Sequence, residues 1–342
     1  MFAGAQLFRT MVVMAKSPVS GLSVRLAADK SGASRLCNEL FRFRFGMRPE
    51  LGAGDNVFQL HINPIGRPAP DEIWFTDGPV SSERVGDYAI TQCADYLAIH
   101  VEIDLEPGTD FKELTTRVYR ELLQLTRERD YPNLVRVWNY FPGINVGAGD
   151  HELYRQFTAG RAVAFGGFEG ELLPAATAIG TDEGTPLTIT MIAARHQCRM
   201  IENPRQTSAY KYPRQFGPSS PSFSRAVVVA AESGYRILMS GTASIIGHQS
   251  MHLDDPAQQT AESLRNLDQL IQQARRATRT SNGADEILTD GCLRIYVRQP
   301  AQVTEIKTAL RDFLVDDPNV VFLRGDICRR ELLLEIEAAG SI

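Results

Sequence analysis

Apolar positions along the chain switch between two spacings, and the switching pattern occurs twice. In the first half, residues 57–62 and 98–103 alternate as strands do. Phe111, Leu114, Val118, Leu122 and Leu125 then fall on one face of a helix predicted from Asp110 to Arg127. Residues 134–140 return to a strand pattern. A shorter helix is predicted from about Asp150, with Leu153, Phe157 and Ala164 turned inward and Gly166-Gly167 as its stop. Residues 175–180 and 187–194 close the half as strands.

The second half repeats the order. Residues 225–231 and 235–239 read as strands. A long helix follows, with Asp255 as N-cap, Pro256 in the first turn, and Ala261, Leu264, Leu267, Ile271 and Ala274 on its buried face. Residues 293–297 form a strand, Val303, Ile306, Leu310 and Phe313 mark a helix, and residues 320–323 and 332–337 finish as strands. Each half thus predicts an α+β domain, a sheet with helices packed on one face. The boundaries are 1–195 for an N-terminal domain, 196–215 for an Arg/Tyr-rich connecting segment and 216–342 for a C-terminal domain. Residues 196–224 make a long connection with little apolar periodicity, and long ordered loops are usually functional. Asn282-Gly283 signals a turn, and residues 1–17 lack the pattern of a signal peptide and read as a frayed end.

Composition narrows the class. With 43% hydrophobic and 23% charged residues the chain is expected to be soluble and globular. A net charge of −5 argues against nucleic-acid binding, and no apolar run approaches the length of a membrane span. The five cysteines, Cys37, Cys93, Cys198, Cys292 and Cys328, form no CxxC pair, so reduced thiols in a cytoplasmic protein are expected.

Candidate chemistry lies in three places. Between Arg195 and Arg225 there are six basic residues (Arg195, Arg199, Arg205, Lys211, Arg214, Arg225) against one acidic residue, Glu202. Guanidinium forks suit carboxylates, and Tyr210 and Tyr212 add neutral donors. A solvated loop with surface arginines is the competing interpretation. Tyr154 and Arg161 are seven apart and share a helical face, so one ligand could meet both. In the tail, a strand places Glu331, Leu333, Glu335 and Glu337 on one side and Leu332, Leu334 and Ile336 on the other. Apolar neighbours would raise the pKa of Glu335 and keep a proton available; a solvent-facing glutamate is the alternative. His248 and His252 lack the intervening Glu of a zinc-protease motif, and no phosphate-binding glycine motif or GxSxG elbow is present.

Several stretches carry a family resemblance. Asn139-Tyr-Phe-Pro-Gly-Ile-Asn145, Tyr154-Arg-Gln-Phe-Thr-Ala-Gly-Arg161, Ile201-Glu-Asn-Pro-Arg-Gln206, Ser222-Phe-Ser-Arg225, Ser240-Gly-Thr-Ala-Ser244 and Asp326-Ile-Cys-Arg329 with Glu335 resemble the chorismatases. That family converts chorismate to pyruvate plus a cyclohexadiene diol or a hydroxybenzoate, and the resemblance spans roughly residues 55–340. A wider resemblance runs through Gly217-Pro-Ser-Ser-Pro-Ser-Phe-Ser-Arg-Ala and residues 238–241. It links the halves to the RidA/YjgF (chorismate-mutase-like) fold, so two tandem domains of that type are implied. Ala176 and Val320 stand where RidA deaminases place an arginine, which favours the chorismatase interpretation over imine or enamine deamination.

The resemblance implies Tyr154, Arg161, Tyr212 and Arg225 as substrate-binding residues and Glu335 as the catalytic acid. It also implies Gly241 as a further substrate-binding residue and Cys328 as a second catalytic residue, at the positions that accompany 3-hydroxybenzoate formation. It implies no metal or organic cofactor and a small-molecule substrate, with neither nucleic acid nor membrane as partner and either a monomer or a homotrimer. The expected outcome is pyruvate plus 3-hydroxybenzoate. Hydrolysis to the 3,4-dihydroxycyclohexadiene carboxylate, mixed 3- and 4-hydroxybenzoate formation, a RidA-like deaminase and a non-catalytic carboxylate sensor are the alternatives.

Overall fold

The structure is a computed structural model that describes residues 21–27, 38–46, 54–166, 173–231, 234–280, 291–311 and 319–342. Its first sheet holds β1 (Leu22–Leu26), β2 (Asn38–Phe45), β3 (Val57–Leu60) and β4 (Glu72–Thr76), in the order β1-β4-β2-β3. Next in the chain come β5 (Ser81–Val85), β6 (Tyr88–Gln92), β7 (Tyr96–Ile103), α1 (Phe111–Glu128), β8 (Asn133–Pro142), α2 (Leu153–Phe165), β9 (Ala175–Thr181) and β10 (Leu187–Ala194). Their strands form a six-stranded sheet ordered β5-β6-β7-β10-β8-β9.

The third sheet repeats that plan. It comprises β11 (Arg199–Ile201), β12 (Ala226–Ala230) and β13 (Tyr235–Thr242), a two-stranded excursion of β14 (Ile245–Ile246) and β15 (Gln249–Ser250), then α3 (Pro256–Thr278), β16 (Cys292–Val297), α4 (Val303–Arg311), β17 (Val320–Arg324) and β18 (Leu334–Ser341). The order β11-β12-β13-β18-β16-β17 matches the preceding sheet place for place. In each, the last strand lies in the middle and a helix crossover joins a parallel edge pair, β8–β9 and β16–β17. The chain is therefore α+β, as expected.

Local chemistry explains the helix ends. Asp110 and Asp255 accept hydrogen bonds from the Glu113 and Gln258 amides and cap α1 and α3. Gly166, with φ 58°, ends α2 in the left-handed region that glycine tolerates. The apolar faces of α1 and α2 pack on one side of the first six-stranded sheet, and α3 and α4 pack on one side of the second. The opposite faces of both six-stranded sheets meet the four-stranded sheet in a shared core that includes Trp74, Trp138, Tyr140 and Tyr296.

Three expectations change. Residues 57–62 do not begin the first repeat; β3 belongs to the four-stranded sheet. The terminal strand begins at Leu334, and both Leu333 and Leu334 enter the helix-side core. Glu331 thus lies before the strand and is exposed, whereas Glu335 and Glu337 alternate within it toward other buried groups rather than solvent. Asn282-Gly283, Phe313, Cys37 and residues 1–17 lie outside the described residues. No described helix is long and apolar enough to cross a membrane.

Candidate active site

Strand β9 forms the seam between the two repeats. Gly180 and Asp326 exchange two backbone hydrogen bonds of 2.8 Å, the Ser224 amide donates to the Pro174 carbonyl at 3.0 Å, and the Ala176 amide donates to Ser240 Oγ at 2.8 Å. A cavity of about 280 Å³ opens along this seam, a size suited to a small ligand. Helix α2 contributes Tyr154, Phe157, Thr158 and Arg161, and β9 contributes Ala176 and Thr177. Tyr212, Phe216 and Phe223 come from the long connection of residues 196–224. The second repeat adds Arg225, Gly241, Cys328, Arg329 and Glu335. All seven residues that the family resemblance implied line this one space, and residues of both repeats enclose it.

The guanidinium groups are held but not saturated. Arg161 is 2% exposed and lies 4.9–5.6 Å from the ring centroids of Tyr119, Phe157 and Phe165. Its Nε and one terminal nitrogen, Nη2, are buried with no hydrogen-bond partner. Aromatic faces orient the cation while leaving one edge of the fork free for an anion. Arg225, 3% exposed, donates through Nη2 to the Thr207 carbonyl and to Tyr212 Oη, both at 2.8 Å, and its Nε is unpartnered. Arg329 was not singled out in the sequence. It stacks 4.0 Å from the Phe216 centroid, donates through Nη1 to the His248 carbonyl at 2.9 Å, and keeps Nη2 buried without a partner. Buried donors of this kind are costly unless a ligand completes them.

Glu335 is the acidic counterpart. It is 6% exposed, and among the described residues its carboxyl group makes no hydrogen bond or ion pair, only longer-range contact with the charges around it. Burial, reinforced by the nearby Glu337, pushes its pKa up to about 8, with Arg136 and Arg225 opposing. A carboxyl group in this state carries a proton at neutral pH and can give it up. Its position depends on Gly241: a Cβ there would sit 1.8 Å from Glu335 Oε1. Strand β13 shifts register between Met239 and Thr242, beside β18, so this irregularity brackets Gly241, the residue that faces Glu335.

Burial, and next to it the Glu335 charge, pushes the Cys328 thiol up to about 12. It therefore remains a neutral thiol. Tyr154 is likewise raised well above the ordinary phenol value by burial, so it acts as a neutral donor.

The basic run from Arg195 to Arg225 does not converge on the cavity as a cluster. Arg205 pairs with Glu262 at 2.5 Å, Arg214 pairs with the exposed Asp150, and Arg195 lies 4.4 Å from the Tyr131 ring centroid. Arg199 donates to the Ala277 carbonyl. Only Arg225 of the six lines the space. Arg195, Arg199, Arg205 and Arg214 find partners that are distant in sequence, which a local count of charges could not reveal, and Lys211 lies over the ring of the adjacent Tyr210. His248 and His252 separate as well: His252 lies 3.6 Å from Glu262, and His248 packs against Phe216. Among the described residues no group of three or more His, Cys, Asp or Glu side chains could hold a metal ion.

Residues 72–193 match the family described as chorismatase FkbO/Hyg5-like, N-terminal. A 3-hydroxybenzoate synthase of Streptomyces hygroscopicus is 32% identical over 289 residues, 82% of this chain and 84% of that protein. A chorismatase of Streptomyces hygroscopicus is 35% identical over 271 residues, 78% of each. A crystal structure of a chorismatase superposes with a TM-score of 0.81 at 29% identity, covering 95% of this chain and 99% of the other.

Proposed function

The chain belongs to the chorismatase family, and on that footing we propose that it removes the enolpyruvyl group of chorismate, releasing pyruvate and 3-hydroxybenzoate, with Glu335 as proton donor. One observation carries this reading: a buried, unpartnered carboxyl group shares a cavity with guanidinium groups whose N–H donors are open. A dianion with an acid-labile vinyl ether is the guest that such a space completes.

Arg161 and Arg225, with Tyr154 and Tyr212, take the two carboxylates and fix the side chain's conformation. The Glu335 proton goes to the methylene carbon, and the vinyl π electrons form that C–H bond. An oxocarbenium centre results at the ether carbon, beside the carboxylate that Glu335 has become. In the 3-hydroxybenzoate route the neighbouring ring hydroxyl attacks the ring carbon bearing the ether, and its proton returns to Glu335. The ring C–O bond breaks, its electron pair quenches the oxocarbenium, and pyruvate leaves. The three-membered ether left on the ring opens, a ring proton is lost, and the ring becomes aromatic. No water is consumed. In the hydrolytic route water adds to the oxocarbenium instead and the diol remains.

The named 3-hydroxybenzoate synthase relative, Gly241 and Cys328 favour the first route. With its high pKa, Cys328 serves as a neutral donor or as a wall against water, not as a thiolate base. The repeated topology supports two tandem units, the first running from β5 to β10 and the second from β11 to β18, so that the second unit begins within the segment 196–215 and not at 216.

Incubation with chorismate followed by chromatography tests the reading: pyruvate and 3-hydroxybenzoate should appear in equal amounts. Glu335→Gln should still bind chorismate while kcat falls by about a hundredfold to ten-thousandfold. A variant with parental kcat removes Glu335 as the acid. Because the acid must be protonated, kcat should be level below pH 8 and decline as pH rises through about 8.

A further inference from the structure

We propose that Thr177 and Glu337 form a positioning pair for Glu335, a joint between the two repeats that keeps one carboxylate fixed so that its neighbour stays free and protonated. This rests on Glu335 being the acid.

The geometry is specific. Thr177, on β9 of the first repeat, is 2% exposed. Its Oγ accepts from the Gly241 amide at 2.9 Å and from Arg136 Nη2 at 2.6 Å, and donates to Glu337 Oε2 at 2.5 Å. A hydroxyl has one proton and two lone pairs, so these three bonds use its whole capacity. One of them holds the amide of Gly241, whose missing Cβ makes room for Glu335. Another holds Glu337, which lies two residues along β18 from Glu335. Glu337 also accepts from Arg136 Nη2 at 2.7 Å and Trp138 Nε1 at 2.8 Å, and Arg294 Nη1 lies 3.4 Å away. Two neighbouring carboxyl groups thus differ in their hydrogen bonds: Glu337 accepts from Thr177, Arg136 and Trp138, whereas Glu335 has charges near it but no hydrogen bond among the described residues.

Charged and titratable groups reach Glu335 from every side. Glu337 lies on its own strand, and Arg136 comes from β8 and Arg225 from just before β12. Tyr154 and Arg161 lie on α2, Cys328 and Arg329 on the segment before β18, and Tyr296 opposite on β16. Of these, Glu337 is the anion fixed by the joint. Its charge opposes ionisation of Glu335, and Thr177 transmits the first repeat's hold to both Glu337 and Gly241.

The test uses the full chain with chorismate. Glu337→Gln keeps the shape and removes the charge, so the alkaline limb of the kcat profile should move to lower pH by about one unit. Activity lost at pH 8 should return on acidification, which a folding defect would not do. Thr177→Val should lower kcat by about tenfold to a hundredfold with KM within threefold, and Thr177→Ser should restore the parental value. An unshifted limb in Glu337→Gln, or parental kcat in Thr177→Val, overturns the proposal. Should Glu337→Gln fail to fold, the valine and serine pair decides it. Glu335→Gln serves as the control. If it is inactive while the Thr177 and Glu337 variants behave as the parent, only the positioning pair fails. If it is fully active, the acid itself falls and the pair with it.

Discussion

Glu335 and Glu337 lie two residues apart on β18, each within a buried polar cluster, and the clusters differ in how fully their hydrogen bonds are made. Around Glu337 the account closes. Arg294 donates to Glu72 through Nε and Nη2, both at 2.7 Å, and to Tyr140 Oη at 2.7 Å. Trp74 Nε1 reaches Glu72 at 2.8 Å, and Tyr140 meets Tyr296 at 2.7 Å. This cluster ties the four-stranded sheet to both repeats. Around Glu335 the account stays open: Arg161, Arg225 and Arg329 each keep at least one buried N–H without a partner. Unsatisfied buried donors lower stability, so a fold that keeps several aimed at one cavity is arranged for a guest. The closed cluster holds the molecule together, and on the function proposed above the open one serves the reaction.

Removing one arginine from each cluster puts that difference to its severest test. Arg294→Met strands Glu72 and should cost about 3–5 kcal/mol of stability, the usual effect of breaking a buried pair; urea unfolding measures it. Arg161→Met deletes a buried cation with unmade bonds, so stability should hold or rise. Its kcat/KM should nevertheless fall by about a hundredfold, as when a charged anchor is lost. Equal destabilisation by both variants would mean that Arg161 is structural and that the contrast between the clusters is false.

Much of the scaffold was legible because it is local. Helix faces follow from apolar spacing, and the caps Asp110, Asp255 and Gly166 lie next to the turns they end. Tyr154 and Arg161 were legible for the same reason, since the helix period puts both on one face, whereas Glu335 stood out through the family resemblance and the strand period around it held only from Leu334 onward. The four-stranded sheet was mostly missed. β2 shows a clean period-two pattern, with Phe41, Phe43 and Phe45 buried between Arg42 and Arg44, and this signal was available. β5 is exposed along its whole length and offers no such pattern. The Thr177 joint was out of reach, because it links residues 64 and 160 positions apart through side-chain bonds. Arg329 gave only half a signal: it stood in a family motif, but its stacking on Phe216 depends on tertiary folding.

Moving the free carboxyl without touching the closed cluster sharpens the comparison. Gly241→Ala does this, since the new methyl must push Glu335 aside while the Gly241 amide can keep its bond to Thr177. The backbone there is outside the left-handed region, so the cost in stability should be modest, about 1–3 kcal/mol. Turnover should fall by about tenfold to a hundredfold, because a shift of about 1 Å at the acid is enough. Steady-state kinetics with a thermal melt separates the two effects. Parental kcat would show that Glu335 has room the static geometry does not reveal.

The smallest expected effect concerns whether the ring hydroxyl attacks the ring carbon before water adds to the oxocarbenium, and here Cys328 lies on the open side of the comparison. Its thiol is half-buried against the cavity and remains protonated, so removing it takes away volume and a weak donor but no charge. Cys328→Ala should therefore leave total pyruvate release near the parental rate. The vacated space lets water compete with the ring hydroxyl, and the product ratio should move toward the diol by about twofold to tenfold, a difference of no more than about 1.4 kcal/mol between two barriers. Cys328→Ser restores a hydroxyl of similar reach and should move the ratio part of the way back. If the alanine variant gives the parental ratio, the thiol has no part in the partition, and the choice between routes lies with the carboxylate anchors that hold the ring.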